Sequence, residues 1–296
     1  MFAGYTFALL AMLCIGTLGI LSKLADRDDC TPLNTTLVLF GGSTVIMAVY
    51  VSVVQGAALV PPAFVTGTAL FFGGLAVLAF WVFLYGLQFG KLTTSWIFMN
   101  LSAIVPAVLS VVLYHEAMSA VKALVLSLVV VSIILLWKDK QQESSAGAGA
   151  ASRNLKIWIG AMLCAFVLNG ICPFGLRVLE GRGLGAQYTA VYLVYWYLAG
   201  FLLGCLALLR TRRRLSRANL IIGLFMAAAS VGGQFFMGMA LARGIPGSVV
   251  YMLGMGASLC VVAIGGIVFF REKVGTYAKL GLAIGLAATV LLGTAG

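Results

Sequence analysis

The chain has 296 residues, of which 62% are hydrophobic and 9% charged, with a mean hydropathy of +1.10; a soluble domain carries roughly a quarter charged residues. That balance excludes a water-soluble globule, and the formal charge of +11 does not make a nucleic-acid binder, because the basic residues lie in short gaps between apolar runs and form no stripe with aromatics. Five cysteines (Cys14, Cys164, Cys172, Cys205, Cys260) fall in apolar runs, only Cys30 in a loop, and His115 is the sole histidine. No disulfide framework, metal site or cofactor is expected from such a set.

A helix crossing about 30 Å of hydrocarbon needs roughly 20 apolar residues. Ten runs meet that need, at about 3–24, 34–55, 64–88, 92–114, 120–137, 156–178, 188–209, 219–241, 247–270 and 276–294. The first run has no basic leader and outlasts the core of a signal peptide, so it reads as a span. Pro61-Pro62 and Gly90-Lys91 separate spans two, three and four. The longest polar stretch, rich in Ser, Gly and Ala, lies near the centre and divides a first five-helix repeat (1–137) and a second (156–296) with a linker at 138–155.

The halves echo each other. Ala11-Met12-Leu13-Cys14 returns as Ala161-Met162-Leu163-Cys164 after 150 positions, and His115-Glu116 returns as Arg271-Glu272 after 156. Five spans are an odd number, so a second copy enters the membrane inverted. The expected fold is therefore an all-α integral membrane protein of ten transmembrane helices, arranged as two inverted five-helix repeats.

Depth follows from the 1.5 Å rise per residue. Asn169, Gln234, Ser43, Thr44, Ser230 and Ser258 fall near the middle of their spans, and Asn100 about 12 Å inside span four. An amide in hydrocarbon without a partner costs several kcal/mol, so Asn100, Asn169 and Gln234 must face substrate, water or another helix. Tyr188, Tyr192 and Tyr195 share a helical face, and Trp196 sits one turn above Tyr192. Trp81 and Tyr85 form a second i, i+4 pair, while Trp96 and Tyr251 enter at shallow depth. Tyr188, Trp158 and Trp137, near span ends, are assigned to interfacial belts; Trp196 is too deep for one. Gly281 and Gly285 form a Gly-x-x-x-Gly on the last span, a weak dimer signal.

The stretch Gly90-Lys91-Leu92-Thr93-Thr94-Ser95-Trp96, Asn100-Leu101-Ser102, Pro106 and His115-Glu116, with Ala242-Arg243-Gly244-Ile245-Pro246-Gly247-Ser248-Val249-Val250 and Phe269-Phe270-Arg271-Glu272-Lys273 in the second half, resembles the ten-helix EamA-type members of the drug/metabolite transporter superfamily. The resemblance implies secondary transport without naming a cargo. It also exposes a departure: four-helix multidrug relatives place a glutamate inside the first helix, whereas all eight acids here (Asp26, Asp28, Asp29, Glu116, Asp139, Glu143, Glu180, Glu272) fall at helix ends or in loops. Proton coupling through an intramembrane carboxylate is then not expected.

The sequence thus points to a carrier for a small neutral or zwitterionic metabolite, in a multi-pass plasma-membrane protein (inner membrane in a bacterium), monomeric or weakly dimeric. A choline-like quaternary ammonium held by Trp81, Tyr85, Trp96, Tyr192, Trp196 and Tyr251 is the alternative. A membrane-embedded enzyme lacks a nucleophile paired with a base. Connections after odd-numbered spans hold fifteen of the Lys and Arg residues, against four (Lys122, Arg177, Arg182, Arg243) after even-numbered ones, and such an excess marks the cytoplasmic side. A cysteine placed near Arg213 in a cysteine-free background is therefore expected to resist an impermeant thiol reagent in intact cells; labelling from outside would reverse the orientation.

Overall fold

The computed structural model describes residues 2–27, 32–56, 60–89, 92–115, 150–211, 215–258 and 275–294, with scattered positions in 120–138 and 261–269. The described residues are helical almost throughout. Helix α1 is Phe2–Arg27, α2 Pro32–Val49, continued by a π-helical turn at Tyr50–Val54, and α3 Ala63–Leu87. Span four is two pieces, α4 (Leu92–Leu101) and α5 (Ile104–Tyr114). Then follow α6 (Ala150–Glu180), α7 (Gly185–Thr211) and α8 (Arg217–Ala242), a short α9 (Gly247–Tyr251) running into a second π-helical turn at Met252–Gly256, and α10 (Thr276–Thr294). Span five falls among the scattered positions, each of them helical.

Among the described residues six helices are long and apolar enough to cross a membrane, and shorter apolar helices lie at Ile104–Tyr114 and Gly247–Gly256. The protein is an all-α integral membrane protein, compatible with ten spans. One boundary differs from expectation: α6 starts at Ala150, inside the region read as linker, because Ala and Arg there are strong helix formers and Ser is not hostile to a helix. Residues 139–149 lie outside the described residues.

Helix ends follow ordinary capping chemistry. Ser216 accepts a hydrogen bond from the Asn219 amide N–H (3.1 Å) while the Asn219 side-chain oxygen takes the Ser216 backbone N–H, a capping box that starts α8. At its far end, Gly244 adopts a φ of +76°, and Ile245 N–H to Ala240 O with Gly244 N–H to Leu241 O close a Schellman turn.

The helices gather into two compact units, each drawing on both halves of the sequence: residues 1–77 with 171–245, and residues 78–170 with 246–296. In the first unit α8 packs on α1 and α2, and α2 packs on α7. The pairing residues give the directions. Thr35 meets Asn219 and Ser43 meets Ala227, so α2 and α8 run parallel; Leu37 lies by Gly204 and Phe40 by Gly200, so α2 and α7 run antiparallel. Spans two and eight thus share a direction and span seven opposes them, as alternating crossings require. Glycine permits the closest approach: a Cβ on Gly73 of α3 would overlap the Trp196 carbonyl of α7. In the second unit, Gly86 of α3 lies against Ala161 and Met162 of α6, and Ser132 donates to the Gly281 carbonyl, so that end of the Gly-x-x-x-Gly pair is used within the chain.

Gly73→Val forces backbone apart, and overpacking of this kind costs about 1–3 kcal/mol. A lowered thermal midpoint of purified protein in detergent is expected for Gly73→Val, and none for Gly67→Ala, whose added Cβ meets nothing within 4 Å.

Candidate functional site

In the second unit, span four breaks at its centre for a covalent reason. Pro106 has no N–H, so the Ser102 carbonyl loses its helical donor, and the Val105 N–H takes that acceptor at 2.9 Å. The chain turns at Ser102–Ala103 between α4 and α5. The Met99 carbonyl on the α4 side accepts from the Ser102 hydroxyl (2.5 Å) and from Nδ2 of Asn169 (3.1 Å), and the same Nδ2 donates to Ser102 Oγ (2.7 Å). Asn169 and the break thus form a closed triangle. Gly170 lets α6 come this near: a Cβ there would lie 2.7 Å from the Ser102 carbonyl oxygen and against Val105.

Span nine of the same unit is irregular too. Its π-helical turn at Met252–Gly256 is closed by Ala257 N–H to Met252 O at 2.9 Å, and the Ser258 hydroxyl donates to the Met255 carbonyl at 2.5 Å. Helix α9 packs on α5, and the π turn packs on α4, α5 and α10. Tyr251 and Ser258 are fully buried. The π turn is therefore in contact with both pieces of the broken span within one unit, where protein satisfies irregular backbone that lipid cannot.

The first unit has unbroken α7 and α8 around a hydroxyl centre. Tyr197 OH lies 2.9 Å from Ser230 Oγ and is also hydrogen-bonded with Ser43, whose hydroxyl donates to the Ala227 carbonyl at 3.3 Å. Trp196 is buried, stacked on Phe40 at 5.8 Å and edge-to-face with Tyr197 at 4.8 Å. Tyr192 is buried with its hydroxyl against Gly175 and its neighbour Phe72. Gln234 is half-buried. It lies one turn from Ser230, which meets Tyr197, and one turn from Gly238, which meets Thr189, so it sits on the stripe of α8 that faces α7.

The residues singled out from the sequence are thus divided. Tyr192, Trp196 and Gln234 belong to the first unit; Trp81, Tyr85, Trp96, Asn100, Asn169, Tyr251 and Ser258 belong to the second. Trp96 is buried edge-on to Phe83 (5.8 Å), Trp81 is half-buried, and Tyr85 is 52% exposed and meets Phe89 (5.4 Å). The backbone of Asn100 is helical and its side chain lies outside the described residues, as do Trp137, Glu116 and Glu272. Glu180 stands at the end of α6, its carboxylate against Gly185 at the start of α7 and one turn from Arg177. Among the described residues no three His, Cys, Asp or Glu side chains gather.

Trp158 lies near the start of its span, as expected, and is fully buried in the protein, its Nε1 donating to Ser95 Oγ at 2.9 Å and its ring edge-on to Phe98 at 5.4 Å. Sequence reasoning also passed over Tyr197, whose hydroxyl partners come from two other helices, and the Met99 carbonyl, since a backbone acceptor has no letter in a sequence. The proline at Pro106, four residues after Ser102, was the signal available for the latter.

Span count, apolar faces and interrupted helices define a multi-pass membrane protein with irregular backbone held inside the bilayer. Residues 2–138 match the EamA-like transporter family. The match covers somewhat less than half of the chain, and over that stretch the protein is similar to membrane transporters of this family. A solved crystal structure shares its fold, at a TM-score of 0.69 and 14% identity, over 97% of this chain and 98% of the other. No curated protein matches the sequence.

The Trp158–Ser95 bond is separable from bulk packing. In a double-mutant cycle with Trp158→Phe and Ser95→Ala, unfolding in detergent is expected to return a coupling of about 1 kcal/mol; additive losses would mean that the two side chains act independently.

Proposed function

We propose that the protein is a secondary carrier that moves a small neutral or zwitterionic metabolite across the plasma membrane, or the inner membrane of a bacterium, by alternating access between two inverted repeats. The observation that carries this reading is the pair of interrupted helices: secondary carriers bind their cargo near the midplane at discontinuous helices, and the break at Ser102–Ala103 lies at the centre of span four. Hydroxyl and amide groups gathered there suit a ligand recognised by hydrogen bonds, with aromatic rings adding apolar area. In the second unit the contacts would come from Asn100, Asn169 and Ser258 with Trp81, Trp96 and Tyr251. Gln234, Tyr192 and Trp196 are the first unit's candidates.

The placement of the acids argues against proton exchange through a buried carboxylate, since Glu180 stands at the end of its helix. A six-membered aromatic cage for a quaternary ammonium is the less supported reading, because Tyr85 is 52% exposed and one face of Trp196 is covered by Phe40.

The test is uptake and affinity in vesicles containing purified protein, with amino acids, sugars, nucleosides and choline as cargoes. For a hydrogen-bonded cargo, Asn100→Leu or Gln234→Leu is expected to weaken affinity by about 1–3 kcal/mol, roughly fivefold to more than a hundredfold. Choline would instead lose most with Trp96→Leu or Tyr251→Leu, since the cation needs a π face. Phe225→Leu, at a position 63% exposed on the lipid side, should leave both quantities unchanged. Equal values for every variant would put the cargo elsewhere.

A further inference from the structure

In the first unit the end of α8 carries a cation that no acid among the described residues answers. Arg243 follows the last residue of α8 and is exposed, and its guanidinium sits over the ring of Phe7, 5.5 Å from the centroid. Phe7 stacks on Phe236 (6.0 Å, 15°), Phe236 meets Phe235 (6.0 Å, 61°), and Phe235 meets Tyr50 edge-on (5.3 Å, 70°). A row of four half-buried rings thus crosses from α1 over α8 to α2, with a charge at its α1 end. Gly4 lies against Ile245 and the stem of Arg243, which keeps the ends of α1 and α8 together.

The row lies on an open face. Helices α1 and α2 each pack along α8 but scarcely touch one another. Between them α8 presents one uncovered apolar stripe, with Ile221 (56% exposed) and Phe225 (63%) continued by the half-buried Phe235 and Met239 at the same helical spacing. Depth sorts the chemistry along this groove. Arg243 stands one residue past the apolar span, which ends at Ala242, at the level of lipid head groups; Phe236, seven residues earlier, is about 10 Å deeper, among acyl chains. An anionic phospholipid has the matching parts in the same order. Guanidinium is well suited to phosphate oxygens, basic groups between membrane helices hold anionic head groups, and half-exposed rings offer apolar area to a chain.

We propose that the groove between α1 and α2 is a binding site for one anionic phospholipid, its phosphate held by Arg243 and one acyl chain laid across Phe236 and Phe235. The cation–π contact with Phe7 restrains the guanidinium before the lipid arrives, so less side-chain freedom is lost on binding. The chain fills the gap that α1 and α2 leave between them. Arg182 supplies an internal comparison. It too is exposed and sits over a ring, Phe64, at 3.9 Å, after an even-numbered span and hence on the same membrane face, but no further ring among the described residues continues from Phe64.

The test uses the full chain in nanodiscs of phosphatidylcholine, with and without phosphatidylglycerol. Phosphatidylglycerol is expected to raise the thermal midpoint of the parent protein, as a ligand of the folded state does, and native mass spectrometry to show one retained molecule. Arg243→Gln should lose most of that rise and the retained lipid, whereas Arg182→Gln should keep both. Each variant is compared with itself in the two lipids, so a change in its own stability cancels. Phe236→Leu, which leaves the cation in place, should weaken retention roughly twofold to tenfold. Inorganic phosphate added to phosphatidylcholine nanodiscs should leave the parent's midpoint where it was. A rise with phosphate equal to that with the lipid would make this a free-anion site and overturn the proposal. Equal losses in the two arginine variants, or retention unchanged in Arg243→Gln or in Phe236→Leu, would overturn it as well. Should Arg243→Gln fail to fold, Phe7→Leu, which keeps the charge and removes its seat, carries the same expectation.

Discussion

Inside hydrocarbon no water is at hand to take an unpaired N–H or C=O, and each such group left bare costs several kcal/mol. An uninterrupted helix meets this constraint by itself. An interrupted one does not, and so every irregularity must bring its own partners. At span four these are the Val105 N–H for Ser102 O, with the Ser102 hydroxyl and the Asn169 amide for Met99 O. At span nine the Ala257 N–H and the Ser258 hydroxyl do the corresponding work. Where Pro106 removes a donor from the Ser102 carbonyl, the Val105 N–H replaces it, while the polar side chains serve the Met99 carbonyl, and a Cβ on Gly170 would push the amide-bearing helix off the break.

The same constraint explains the contrast between the two units. In the first, α7 and α8 are long and regular, so their backbones need nothing from outside; packing is then free to use large rings against small residues, as with Phe40 on Gly200 and the Trp196 carbonyl on Gly73. The polar side chains placed there answer one another, with Tyr197 joining Ser43 and Ser230 from two other helices. Such bonds between membrane helices average about 0.6 kcal/mol, too little to hold helices together alone and enough to fix their rotation about the axis. At the irregular stretches of the second unit polar side chains serve backbone as well as each other. A site where the chain can bend is therefore a site where hydrogen-bond partners are already at hand.

The sequence made the spans legible because their cause is local: a run of about 20 apolar residues is demanded by bilayer thickness, and α1, α3, α7 and α8 begin and end within a few residues of the runs that announce them. Trp158 shows where this local reading ends. Its place near the start of a span is legible from the apolar run that begins at Leu155, but its burial and its partner, Ser95, are set by tertiary packing. Asn169 was recognised as a deep amide, yet its acceptors lie in another helix. Tyr197 was missed because a tyrosine beside a tryptophan in an apolar run is indistinguishable from ordinary core. The break at Ser102 was foreshadowed by Pro106, and the π turn at Met252–Gly256 by nothing more than glycines.

The family match ends at residue 138, one residue past the proposed first repeat, and the second half carries a serine-to-methionine bond of the same kind. Between Met99-Asn100-Leu101-Ser102 and Met255-Gly256-Ala257-Ser258 only the outer residues agree. That pattern of retention has a physical reading. A serine hydroxyl three residues after the carbonyl it serves has no equivalent among apolar residues. Methionine, unbranched and with three rotatable bonds, fills the irregular space that a broken helix leaves around it. An interruption in a membrane helix therefore leaves least freedom at the residue whose side chain takes the carbonyl beside it, which at both places is a serine three residues on.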